Sequence, residues 1–244
     1  HRLWSVADAE SVVEIRDGMR SRKLFIADGH HRFETSVNYM KECRRQGWGP
    51  IGVESYDKRM VACFNLAAGV TILPTHRLIR DLPAFDAGAF LRAAAEDFSV
   101  ETVPSAAALW GRMREGRAGH AIGFYPAKHR QFYLLSLKRE SPENTGSEDL
   151  LDVRLLHSLL LERGLGIDAG RLEAQSNIDY ERDRDICVRR VDAGEHQAAF
   201  FLNPTTADQV QRIASSGARM PQKSTDFYPK LLTGLIFMKM NIRK

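Results

Sequence analysis

Cysteine is scarce in this sequence, and the scarcity removes two classes of protein at once. Cys43, Cys63 and Cys187 lie far apart in 244 residues and form no CxxC pair. Neither a disulfide scaffold nor a zinc cluster can be built from that set, and a reducing, cytoplasmic compartment is expected. Long apolar runs are missing too. The most apolar stretch, 231–240, carries Lys239 and falls well short of the roughly 20 residues that cross a bilayer, so no membrane partner is expected. Charge of one sign is not massed either: 35 Lys and Arg against 31 Asp and Glu give a formal +4, spread along the chain. Such a surplus suits an anionic small molecule as well as nucleic acid. With no helix-turn-helix pattern and no basic face, DNA is the less favoured partner. GxSxG, HExxH and GxGxxG are all absent, which removes support for serine hydrolases, zincins and dinucleotide-binding enzymes. No repeat or low-complexity tract occurs. An initiating methionine and a signal peptide are lacking as well. The opening His-Arg-Leu-Trp-Ser-Val reads like the interior of a longer chain, so an N-terminal portion outside this numbering is expected.

What is present is an ordinary globular composition, 43% hydrophobic and 27% charged, with mixed helix and strand signals. Apolar spacing predicts a helix over 8–20, a short buried strand over 23–27, and a helix after Gly29 with Phe33, Val37 and Met40 on one face. A second buried strand is expected over 60–66 and another over 70–73. A helix (87–97), strand (98–103), helix (106–115) and two strands (120–125, 131–137) follow. The Ser-Pro-Glu-Asn-Thr-Gly-Ser segment at 141–147 reads as a linker, with Ser147 capping a helix that runs to Gly164. Then come a helix (182–191), a strand (197–202), a helix (207–216), a polar loop (220–230) and a strand-like close (235–238). The fold class is α+β, organised as 1–80, a small α+β unit at 81–140, and a C-terminal α/β segment at 147–244.

The segment with the most chemistry is Ala27-Asp28-Gly29-His30-His31-Arg32-Phe33-Glu34-Thr35. A strand that ends at glycine and passes straight into a helix leaves the first helical N–H groups without intrahelical partners, at the positive end of the dipole. Gly29 lets a ligand approach the backbone. His30, His31 and Arg32 add donors and charge, which together suit a phosphate. A plainer account stands beside this one: Asp28 caps the helix, one imidazole is an interior group, and Arg32 pairs with Asp28 or Glu34. Zinc held by His30 and His31 is disfavoured, because adjacent helical residues diverge by about 100°.

Two further segments carry polar chemistry. Pro74-Thr75-His76-Arg77 follows a strand and brings a second His-Arg pair; alternatively Pro74 ends the strand and Arg77 is solvated. The Met220–Lys230 loop contains Lys223-Ser224-Thr225, which fails as a P-loop because Gln222 replaces the glycine and Pro221 removes an amide. Polar residues between two prolines, with Phe227 and Tyr228 among them, still suit an ordered loop that closes over a ligand. Asp28 and Glu34 are the nearest carboxylates for general-base work, with Asp226 more remote.

These segments, together with Leu-Asp-Val-Arg-Leu-Leu-His at 151–157, resemble domain-of-unknown-function family 1015, often labelled Spo0J/ParB-like. Asp226 stands where that family more usually has an aromatic or aliphatic residue. The Asp-Gly-His-His-Arg signature is also similar to the phosphate-binding turn of the ParB/sulfiredoxin superfamily, which includes CTP-binding partition proteins, ATP-dependent sulfiredoxins and free-serine kinases. The resemblance implies a strand-turn-helix core. Gly29, His30, His31, Arg32, His76, Arg77, Lys223, Ser224 and Thr225 would hold nucleotide phosphates, and Asp28, His31 and Glu34 would be the catalytic candidates. It implies ATP, ADP or CTP with Mg²⁺ as cofactor, and a small-molecule acceptor such as serine. The glutamate base of free-serine kinases would lie before His1. A ParB-like DNA-segregation protein and a phosphoester hydrolase are the alternatives, and a homodimer is left open.

Overall fold

A computed structural model describes residues 2–50, 52, 55–116, 120–138, 151–221, 223–232, 234–240 and 242–243. Contacts divide the chain into two units, residues 1–61 with 234–244, and residues 62–233. The expected linker and the Ser147 cap lie outside the described residues.

The first unit contains α1 (Ala9–Arg20), α2 (His30–Arg45) and the two-residue strands β1 (Gly49–Pro50) and β10 (Ile242–Arg243), paired antiparallel. Asp8 caps α1, its carboxylate accepting the Ser11 N–H at 2.8 Å, so this boundary is set locally. α1 buries none of its residues, and α2 buries only Cys43. The strand expected over 23–27 is extended coil, with Leu24 and Ile26 exposed. An apolar run becomes a strand only where a neighbour completes its ladder, and none pairs with it among the described residues.

The second unit is built on a mixed α+β scheme around one antiparallel sheet. Its elements are β2 (Thr71–Leu73), β3 (His76–Ile79), α3 (Ala87–Ala94), β4 (Phe98–Val103), α4 (Ala106–Glu115), β5 (Ala121–Pro126) and β6 (Phe132–Leu137). After these come α5 (Asp152–Leu155), a π-helix (Leu156–Glu162), α6 (Arg163–Leu165), α7 (Ala169–Ala174), β7 (Ile178–Glu181), α8 (Arg184–Asp192), β8 (Ala198–Phe201), α9 (Ala207–Ser215) and β9 (Asp226–Tyr228). The sheet order is β4-β6-β5-β8-β3-β7, so it draws strands from all three expected segments; β2 pairs separately with β9. The strands expected over 60–66 and 235–238 are not formed, again for want of ladder partners among the described residues.

Strand alternation sends side chains to two cores. Ile79, Ile122, Phe124, Leu135 and Phe200 face α3, the π-helix and α9, while Leu78, Ala121, Tyr125, Ala199 and Phe201 face α4 and α8. Full burial of a phenylalanine such as Phe200 contributes roughly 1.5–3 kcal/mol. Gly123 sets how closely α4 approaches β5: a Cβ there would lie 2.9 Å from Met113 Sδ and 3.0 Å from Leu109. Caps written in the sequence fix the helix starts. Asp86, Ser105, Asp168 and Asp183 each accept N–H groups of the following turn, and Thr206 with Gln209 forms a capping box. Cys187 is buried and its thiol is pushed up to about 12, chiefly by desolvation, so it packs rather than reacts.

Candidate functional sites in the two units

In the first unit the chemistry gathers at the start of α2. Gly29 occupies the left-handed region, φ 87° and ψ 25°, and serves as N-cap with no side chain capping the helix. Asp28 Oδ1 accepts the Gly29 N–H at 2.8 Å, which draws the carboxylate back toward the entering chain. Arg32 folds back the other way: a Cβ at Gly29 would sit 3.0–3.3 Å from its guanidinium. Arg32 Nη2 lies 3.7 Å from Asp28 Oδ2, and His31 Nδ1 lies 3.9 Å from Glu34 Oε2. All of these groups are open to solvent, with the His31 side chain 94% and that of Arg32 71% exposed. The turn therefore presents uncapped amides, an αL glycine and a guanidinium on one exposed surface. This is the donor set an oxyanion needs.

The glycine matters twice here. Any L side chain at φ 87° is strained by roughly 1–2 kcal/mol, and a Cβ would press on Arg32. Gly29→Ala is expected to weaken anion binding at this turn by about tenfold while secondary structure, followed by circular dichroism, is unchanged. Wild-type affinity in that variant would show that the turn is not where the anion sits.

In the second unit, the structure brings together two of the sequence segments. His76 and Arg77 begin β3, and both are buried, at 3% and 1% exposure. Arg77 is not the solvated side chain considered from the sequence. Its Nη1 donates to the Thr75 carbonyl and its Nη2 to the Lys223 carbonyl at 3.0 Å, tying the 74–77 segment to the 220–230 loop. Its guanidinium lies 5.3 Å from the centre of the Tyr180 ring, which also has Lys223 Nζ at 5.9 Å. Burial lowers Arg77 to about 10, and its Nε has no hydrogen-bond partner among the described residues. Lys223 is exposed, in the left-handed region at φ 53°. Ser224 is buried, its hydroxyl donating to the Pro221 carbonyl at 2.7 Å and its carbonyl accepting from Thr205 at 2.9 Å. Thr225 is half-buried beside it. A cavity of about 30 Å³, lined by Thr75, Arg77, Asn203, Thr205 and Ser224 among others, lies behind this turn. It is the size of a single water.

Asp226 is a buried carboxylate with two cationic neighbours. It begins β9 and is paired by Arg182 Nε and by Lys230 Nζ at 3.1 Å. Those two cations offset the buried charge, while Oδ2 has no hydrogen-bond partner among the described residues.

Sequence reasoning gave no role to His157, which lies within the 151–157 run, and it passed over Tyr180. His157 sits on the π-helix, a form that recurs at functional sites. Its Nε2 is buried without a hydrogen-bond partner among the described residues. Desolvation, with Arg77 and Arg154 nearby, holds it down to about 3. No periodicity could have singled out Tyr180, because its partners lie over 40 residues away on either side.

His76 carries a pH consequence. Its Nδ1 accepts the Leu202 N–H at 3.3 Å, and burial, followed by the charges of Arg77 and Arg184, lowers it from 6.5 to about 4. The unfolded chain therefore takes up this proton first on acidification. The stability tied to a neutral His76 is complete above pH 6.5 and is lost as pH falls toward 4, on the order of 3 kcal/mol. Urea denaturation across that range is expected to show this slope, reduced in His76→Gln; the same slope in the variant would refute the assignment.

Among the described residues, no group of three or more His, Cys, Asp or Glu side chains could hold a metal ion, and no helix is long and apolar enough to cross a membrane.

The second unit is thus an antiparallel sheet with helices on both faces, and the chain is of the α+β class, with α2 starting at an αL glycine that has no side-chain cap. It belongs to the family described as "Protein of unknown function (DUF1015)", whose model matches residues 1–157. Solved structures to which the chain is similar include a free serine kinase mutant in complex with AMP, at 15% identity and TM-score 0.44, covering 89% of this chain and 78% of that one. Another mutant in complex with ADP is similar at 14% identity and TM-score 0.43, with the same coverages. A conserved hypothetical protein from Pyrococcus furiosus is similar at 13% identity and TM-score 0.43, covering 89% of this chain and 72% of that chain. At these identities and scores the likenesses transfer neither a site nor an activity. No curated protein matches the chain.

Proposed function

We propose that this protein catalyses nucleotide-dependent phosphoryl transfer to a small hydroxyl-bearing metabolite, with the nucleotide phosphates held at the start of α2. The observation that carries the reading is the uncapped helix N-terminus at Gly29, with the Arg32 guanidinium folded against it. Phosphoryl transfer asks a protein mainly for positioning and charge neutralisation. The amides after Gly29, with His30, His31 and Arg32, supply both, and Mg²⁺ bound with the nucleotide would share the charge. In the reaction, the acceptor oxygen forms a bond to the terminal phosphorus as the bond to the bridging oxygen breaks. The hydroxyl proton passes to a base, for which Asp28, His31 and Glu34 are the candidates, all within seven consecutive residues. Within residues 62–233 the exposed Lys223, with Ser224 and Thr225 beside it, is the anion-facing element of the proposal, and Arg77 fixes that turn through its carbonyl.

Serine is the first acceptor to assay, on the resemblance of Asp28-Gly29-His30-His31-Arg32 to the turn of free-serine kinases. Calorimetric titration with ATP, ADP, AMP and CTP in the presence of Mg²⁺, followed by product analysis with serine, tests the reading. Saturable nucleotide binding with formation of a phosphorylated product is expected. Absence of binding by every nucleotide would remove it, and salt-sensitive DNA binding in its place would favour a segregation protein.

A further inference from the structure

A cleft of about 660 Å³ opens between α4 and the turn joining β7 to α8, entirely within residues 62–233. Its volume falls in the range of small-metabolite sites. Apolar groups, Trp110, Met113 and Phe201, form part of the lining, and His76, Arg114, Arg182 and Arg184 bring donors to it.

Three features make this more than a surface dent. Arg184 is held in place, its guanidinium lying over the Trp110 ring at 4.7 Å. His76, 3% exposed, uses Nδ1 to accept the Leu202 N–H, so its Nε2 carries the proton, and that donor has no partner among the described residues. Positive charge is also in surplus. Arg114, Arg182 and Arg184 face Asp183 and Asp185, while Asp226 is shared between Arg182 and Lys230. Of the two acids in the cleft, Asp183 is occupied, accepting the Asp185 and Ile186 N–H groups at 2.8 and 3.1 Å as the cap of α8. A ring N–H at the edge of this cleft, with no protein acceptor among the described residues, is a donor left available to a bound anion.

We infer that this cleft binds a small metabolite through an oxyanion group, carboxylate or phosphate, received by His76 Nε2–H, Arg114 and Arg184. It uses no residue of the Gly29 turn and is independent of the phosphoryl-transfer reading.

The test titrates the full chain with pyrophosphate and, separately, citrate at constant ionic strength and pH 7, which distinguishes a phosphate from a carboxylate preference. Saturable binding of at least one is expected. Arg184→Ala and Arg114→Ala should each weaken it by about tenfold with an unchanged circular dichroism spectrum. Asp185→Asn should tighten it several-fold by removing a like charge, and in Arg32→Ala, which disables the Gly29 turn, a saturable binding event should remain. The inference is overturned by no saturable binding of either probe, or by affinity indifferent to both arginine substitutions. It is equally overturned by weaker binding in Asp185→Asn, which marks a zwitterion, or by loss of all binding in Arg32→Ala, which places the anion at Gly29.

Discussion

In the Arg32→Ala protein, affinity for ATP and ADP is expected to fall by one to two orders of magnitude with little change in thermal stability. The two halves of this expectation come from different energies. A hydrogen bond to a charged partner is worth roughly 1.5–3 kcal/mol, and a fork-shaped guanidinium beside free amides concentrates that value on a phosphate. Among the described residues, the ion pair Arg32 makes is with Asp28 at 3.7 Å, on an exposed surface. Pairs of that kind contribute roughly 0–1 kcal/mol, so the fold has little to lose. Arg32→Lys keeps the charge but not the fork, and should fall between wild type and alanine. Isothermal titration beside a melting curve separates the effects. Unchanged nucleotide affinity in Arg32→Ala would remove the helix-terminus site.

Arg77→Met is expected to have the opposite profile, a large loss of stability. Buried ionic groups are often replaceable by apolar ones of similar shape at little cost, and methionine retains most of the stem volume. Arg77 differs because its partners are not another side chain. They are the Thr75 and Lys223 carbonyls, which stay behind when the guanidinium goes. Each buried carbonyl left unpaired costs roughly 1–3 kcal/mol, against relief from burying a charge. A net loss of about 3 kcal/mol is expected in urea denaturation, with increased protease sensitivity confined to 220–230. A variant as stable as wild type would show that Arg77 is not what holds the Lys223 turn.

Most helices and strands between residues 87 and 137, with α8, β8 and α9, were legible because their signals are local, whereas β3, β7, β9 and α7 were not expected from the sequence. Asp86, Ser105 and Thr206 cap helix starts, and alternation from 98 to 137 announces paired strands; those elements lie within a residue or two of expectation except at the end of α3. The runs at 23–27 and 60–66 carry the same apolar signature and are not strands, because a strand also depends on a neighbour that a local pattern cannot supply. Candidate sites divide along the same line. The start of α2 after Gly29 could be read, since glycine, helix start and cationic residues are consecutive in the chain, but the strand expected to lead into it is coil.

By itself, then, the sequence determined the α+β class, the helix caps and the run of donors at 28–32, all features set within a few residues by backbone and side-chain chemistry. Only the tertiary structure decided that Arg77 is buried and spent on the Lys223 carbonyl, that Tyr180 lies beneath both cations, and that His76 meets Arg114 and Arg184 around one cleft. Those pairings join residues tens to more than a hundred positions apart. What brings them together is the order of strands in the sheet, an outcome of packing two apolar faces that no local spacing encodes.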